Sequence, residues 1–120
     1  MSKDKLRLLD YLKHILEAIN RIQKYCEDCD EVTFLNHEMI QDAVIRNIEI
    51  IGEASRNIGK HFPDYTKAHA EVTFSIAYEM RNALAHGYFK VDLDVVWKTI
   101  EKDLPVLEII IVKLITDFVE

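Results

Sequence analysis

Three glycines and two prolines in 120 residues leave this chain few places to break a helix. Its β-branched residues fall mostly inside helix-period patterns, so an all-α protein is expected. Basic residues are also scarce, with 15 Lys and Arg against 21 Asp and Glu, for a net charge of −6. Neither half is basic: residues 1–60 hold 9 basic and 11 acidic side chains, residues 61–120 hold 6 and 10. That excludes broad, non-specific binding to polyanions and confines any nucleic-acid contact to a short local patch. Long apolar runs are missing. The most apolar stretch, Val106 to Ile115, is interrupted by Glu108 and Lys113 and falls far short of the ~20 residues of a membrane span. Met1 to His14 carries charges throughout with no apolar centre, so no secretory signal is read there and the cytoplasm is the expected compartment. The two cysteines form one Cys26-Glu27-Asp28-Cys29 pair. Such a pair can be half a zinc site or a redox couple, but no second pair exists, and beyond His37 a fourth ligand is missing. Two thiols near a helix end are expected, with no metal and no cofactor.

What is present is helical rhythm. An apolar share of 49% supports one continuous core, and the length fits one domain over 1–120. Leu8, Leu12, Ile15, Ile19 and Ile22 predict a first helix from about Asp4 to Tyr25. The acidic run Glu27, Asp28, Asp30 and Glu31 reads as a solvated loop. Asn36 is the expected N-cap of a second long helix, about His37 to Lys60, with Ile40, Val44, Ile48, Ile51 and Ile58 inward. On its other side Asp42, Arg46, Glu49, Glu53, Arg56 and Lys60 fall within roughly 80° of one another. Gly52 and Gly59 are candidate points of close helix approach. Pro63 ends this helix. A third helix is expected from about Ala70 to Ala85, with Gly87 as its cap. A short fourth opens at Asp92 or Asp94, and Asp103 and Pro105 restart a last one. That last helix is apolar on more than one side, as a helix covered by a partner would be. The architecture expected is an antiparallel bundle of four to five helices.

Chemistry concentrates in Arg81-Asn82-Ala83-Leu84-Ala85-His86-Gly87-Tyr88. RNA can be cut without a metal, because its own 2′-hydroxyl attacks the adjacent phosphorus. The reaction then needs a general base, a general acid and a cation beside the developing negative charge. Histidine titrates near neutral pH and serves either proton role. The planar fork of arginine binds two phosphate oxygens at once. Five residues apart, Arg81 and His86 point about 140° from each other on an unbroken helix. Either His86 turns back at a frayed end before Gly87, or two copies of the motif meet across a dimer axis. The same residues also have ordinary structural uses. Arg81 can bond the last helix carbonyls or pair with Glu79, Glu49 or Glu53, His86 suits a helix C-terminus, and Tyr88 suits the edge of a core.

The Arg81-to-His86 spacing followed by Tyr88 resembles the active motif of HEPN-domain ribonucleases of the HepT-like toxin family. The likeness extends over nearly the whole chain. Tyr11-Leu12 and Ile15 to Ile19 resemble the family's opening helix, Asp42 to Ala54 its second, Met80 to Tyr88 its motif segment, and Val96 to Ile100 with Asp103-Leu104-Pro105 its tail. Thr66 to Ile76 departs, lacking the Pro-Trp pair usual there. The resemblance implies a dimeric, HEPN-like helical bundle with metal-independent endoribonuclease activity, toxic in the cell. It implies a minimal nucleotidyltransferase antitoxin that adds AMP to the motif tyrosine. Arg81, Asn82 and His86 take the catalytic positions and Tyr88 that of the modified residue. Arg46, Glu49 and Glu53 are expected to line the approach to the cleft. The alternative is a non-catalytic helical dimer that docks a nucleotidyltransferase and serves as its adenylylation substrate.

Overall fold

The apolar stripe of the first segment builds α1, Lys3–Tyr25, as expected. Leu8, Leu12, Ile15, Ile19 and Ile22 are all buried along it, and the remaining faces are largely charged. The computed structural model describes residues 3–69 and 92–119. The expected third helix, Ala70 to Ala85, lies outside them.

The acidic run does not stay a loop. Asp30 accepts a 2.8 Å hydrogen bond from the Thr33 backbone N–H and caps α2, Glu31–Leu35. That bond holds the Asp30 carboxyl below its ordinary pKa range. Phe34 is fully buried from α2, its ring 5.4 Å from that of Trp97.

The second long helix is α3, Glu38–His61, and its cap differs from expectation. His37 is the N-cap, with Nδ1 accepting from the Ile40 N–H at 3.3 Å. Asn36 instead closes α2, its amide donating to the Val32 carbonyl at 2.8 Å. The reason is α2 itself, which consumes the residues up to Leu35 and leaves Asn36 at its C-terminus. Gln41 ties the two helices together, donating to the Phe34 carbonyl at 2.8 Å inside the core. Val44, Ile48, Ile51 and Ile58 are buried as expected, and Ile40 is half-buried.

α3 packs chiefly on α1, and the pairing runs antiparallel. Arg21 meets Asn47 at 3.5 Å near one end, and Tyr11 meets the Phe62 ring at 6.5 Å near the other. Gly59 plays no part in close packing: a methyl group placed there meets nothing within 4 Å. Pro63 does stop α3, but it also takes the first position of a further short helix, α4, Pro63–Ala68. Its fixed φ and missing N–H suit a helix start.

Asp92 caps α5, Leu93–Lys98, accepting from the N–H groups of Asp94 and Val95. The last helix starts at Leu104, between the expected Asp103 and Pro105, but no break sets it apart from the helix before it. A π-helical turn, Thr99–Asp103, joins α5 to α6, Leu104–Val119, without a break. Proline in an α-helix clashes with the carbonyl four residues back and removes a bond. Here the Leu104 N–H reaches back to the Thr99 carbonyl, and this wider turn just ahead of Pro105 accommodates the ring.

Leu104, Leu107, Ile111 and Leu114 are buried on α6, which packs on α1. Gln23 reaches Glu108 at 3.1 Å at one end of that pair. Lys5 shares a cavity with Asp117 at the other, so α6 also runs antiparallel to α1. The fold is an all-α bundle around α1, α3 and α6, plugged at one end by α2. No helix among the described residues is long and apolar enough to cross a membrane.

Candidate functional site between α1 and α3

The helix-period face anticipated on α3 exists. Asp42, Arg46, Glu49, Glu53, Arg56 and Lys60 are all exposed along it. Arg46 Nη1 lies 3.8 Å from Glu49 Oε2 one turn on. Both side chains are well exposed, and an ion pair of this kind contributes little. The Arg46 guanidinium is therefore exchangeable towards another anion.

The antiparallel packing sets α1 side chains against this face. Among the described residues a hollow of about 200 Å³ opens between the two helices. Tyr11 and His14 enter it from α1. Arg46, Glu53 and Asn57 rim it from α3, with Ile50 and Ala54 as its apolar base. Glu49 is not among the residues lining it. Arg46 and Glu53 thus share one concavity, and Glu49 lies 3.8 Å from Arg46 outside it.

Tyr11, His14 and Asn57 were not singled out for this role by the sequence. Asn57 lies one turn beyond Glu53, so a helical wheel could have added it. Tyr11 and His14 sit on another helix, and only the α1–α3 register brings them here.

Arg81, Asn82, His86 and Tyr88 lie outside the described residues. The chain leaves the described structure at His69 and re-enters at Asp92. His69 is anchored: its ring stacks 4.3 Å from that of Tyr65, and its Nδ1 is 3.0 Å from the Tyr65 carbonyl oxygen. A second cavity of about 350 Å³ opens there, lined by Lys5, Tyr65, His69, Leu114, Asp117 and Phe118. Burial, and then the nearby Asp117 charge, push the Tyr65 hydroxyl up to about 12, so it stays protonated at neutral pH.

Cys26 and Cys29 are free thiols beside the end of α1. Burial, followed by Cys29, pushes Cys26 up to about 11. Cys29 is also raised, by burial and then by Asp30. The thiolate is both the nucleophile and the metal ligand, so neither sulfur is primed for either use. Among the described residues, no group of three or more His, Cys, Asp and Glu side chains is placed to hold a metal ion.

Comparison with known proteins bears on most of the chain. The family model described as Ribonuclease HepT-like matches residues 15–114. A Thermococcus cleftensis protein named "Probable ribonuclease HepT" is 42% identical over 99 residues, covering 82% of this chain and 87% of its own. A Methanocaldococcus jannaschii protein named as a gamma-glutamylcyclotransferase and putative RNase is 40% identical over 107 residues. That match covers 89% of this chain but 47% of the larger protein, so the chain spans about half of that relative. Another protein of that organism, named a putative RNase, is 39% identical over 95 residues, with 79% of this chain and 84% of its own covered. No solved structure matches the chain.

Proposed function

The chain belongs to the HepT-like ribonuclease family, and on that footing we propose that it is a metal-independent endoribonuclease acting as the toxin of a toxin–antitoxin pair. The observation that carries the proposal is the span of the family match, residues 15–114, which contains Arg81, Asn82, His86 and Tyr88. Relatives at 39–42% identity are named as ribonucleases.

In the proposed reaction the RNA 2′-hydroxyl attacks its own phosphorus. His86 takes or returns the proton, and the Arg81 fork holds the phosphate oxygens as charge builds. Asn82 offers an amide to the same phosphate. Two copies of the chain contribute one His86 each, which supplies base and acid together. The exposed Val106, Ile109 and Val112 of α6 form the apolar face through which the copies meet. The partner is a minimal nucleotidyltransferase, which silences the site by adding AMP to Tyr88.

The experiment is RNA cleavage in the presence of chelator by the wild type, Arg81→Ala and His86→Ala proteins. Wild-type cleavage should persist and leave a 2′,3′-cyclic phosphate. Each variant should lose on the order of 10²-fold or more in rate while keeping its helical circular dichroism. Loss of activity with chelator, or equal cleavage of DNA, overturns the mechanism.

A second reading has one observation in its favour, the net charge of −6. It makes the chain a non-catalytic helical dimer that docks the nucleotidyltransferase and accepts AMP. Growth arrest on expression that is relieved by His86→Ala decides for the ribonuclease.

A further inference from the structure

We propose that the hollow between α1 and α3 is a base-reading subsite that takes a guanine of the RNA strand. This rests on the ribonuclease reading and adds to it the identity of a recognised base. At about 200 Å³ the hollow is smaller than the roughly 300–1,000 Å³ pockets that enclose drug-sized ligands. It suits one flat ring system. Ile50 and Ala54 give that ring an apolar floor. Tyr11 gives it a wall, and the Tyr11 ring is itself braced edge-on by Phe62 at 6.5 Å and 68°. Unpaired RNA bases are recognised in this way, by stacking on aromatic side chains and by hydrogen bonds to their edges.

The rim selects among the bases. Glu53 presents a carboxylate, which when ionised only accepts hydrogen bonds. Guanine alone carries two adjacent donors on its Watson–Crick edge, N1–H and the N2 amino group, and they match the two carboxylate oxygens. Adenine and cytosine each set one amino donor beside a ring acceptor. Uracil sets one donor between two carbonyls. Each of these places lone pairs against the carboxylate. Glu53 already makes an interaction within the fold, but a carboxylate has about four lone-pair sites and serves more than one donor. Asn57, one turn along α3, can donate its amide N–H to guanine O6. Arg46 and His14 also line the hollow; the Arg46 guanidinium supplies the cation for the adjoining phosphate, and the His14 ring can donate an N–H to it. The exposed 3.8 Å pairing of Arg46 with Glu49 is weak enough to be exchanged for it.

The test uses uncleavable 2′-O-methyl oligoribonucleotides, which lack the attacking hydroxyl. Three oligouridylates carry a single guanosine, inosine or adenosine at the same position. Their affinities for the full chain are measured by fluorescence anisotropy. The guanosine probe should bind about tenfold more tightly than the adenosine probe, the scale of one bidentate base contact. Inosine, which lacks the N2 amino group, should fall between them. Glu53→Gln replaces one acceptor oxygen with a donor and should shrink the guanosine preference to about twofold or less. Circular dichroism should show the variant folded, because Glu53 is exposed. Equal binding of the three probes by the wild type, or a guanosine preference that survives Glu53→Gln, overturns the proposal. Cleavage of all-ribose RNA is scored separately. Guanosine-selective binding without cleavage sinks the ribonuclease reading and leaves the subsite standing, whereas cleavage without base preference does the reverse.

Discussion

Tyr88 is the residue proposed to control the reaction. It follows His86 by two positions and Gly87 by one, so AMP attached to its hydroxyl would carry a bulky anion to where substrate phosphate must bind. Steric exclusion and like-charge repulsion would act together. Tyr88→Phe removes the acceptor hydroxyl. Incubated with the nucleotidyltransferase and ATP, that variant should gain no AMP mass and should keep cutting RNA. A mass shift that persists would place the modification elsewhere. Gly59 gives a residue-scale prediction of the opposite kind. It lies inside α3 with nothing within 4 Å of an added methyl, so the glycine there only loosens the unfolded chain and the helix. Gly59→Ala should stabilise the protein by about 0.5–1 kcal/mol, read from the urea midpoint at constant m-value. A loss of stability would mean that the position is crowded after all. These residues also mark how far a sequence can be read. Arg46, Glu49 and Glu53 were legible as one polar face because helical period alone groups them. Tyr11 and His14 were not, because their place in the hollow depends on how α1 and α3 pair.

At the scale of elements, α2 shows what periodicity misses. Five residues, Glu31–Leu35, are too few for a 3.6-residue period to emerge, and the acidic residues ahead of them read as loop. The cap by Asp30 is the local cause of the helix. Its carboxyl pKa is lowered in the folded state by the Thr33 hydrogen bonds. The cap therefore stabilises α2 above the unfolded-state value and weakens as pH falls through the folded-state value. The element matters because Phe34 is wholly buried against Trp97, and because Gln41 bonds the Phe34 carbonyl. Phe34→Ala should cost about 3–5 kcal/mol in urea unfolding. Trp97 is the only tryptophan, so its fluorescence should shift in the folded variant as well. A loss under 1 kcal/mol would mean that α2 is a loosely held flap. The π turn at Thr99–Asp103 was illegible for another reason. Asp103 and Pro105 read in sequence as a fresh helix start, whereas the chain runs on into α6 by widening the preceding turn. The long helices α1 and α3 were legible to within a residue or two, since many apolar positions repeat along each.

At the scale of the molecule, charge and apolar surface pull towards different partners. A chain of net charge −6 gains little from RNA at long range, so binding must come from a few cations gathered in one place. Two copies meeting at one cleft would double that local set, and they would also bring two histidines to one phosphate. The face proposed for their meeting is the exposed stripe of α6, on which Ile109 is 71%, Val106 50% and Val112 44% exposed. Leu104, Leu107, Ile111 and Leu114 already bind α6 to its own core, so among the described residues the stripe lies outside that core. A stable pairing should bury roughly 1,200–2,000 Å². Ile109→Glu places a charge at the most exposed point of the stripe, where it harms the dimer and spares the core. Light scattering should give twice the 14.0 kDa chain mass for the wild type and a single chain mass for the variant at equal concentration. RNA cleavage should fall with the dimer, and mixing Ile109→Glu with His86→Ala should not restore it, because a mixed dimer would carry one His86 where the proposed reaction uses two. A monomeric Ile109→Glu that cuts RNA at the wild-type rate would show that one chain completes the site alone, with His86 turned back towards Arg81 at the helix end.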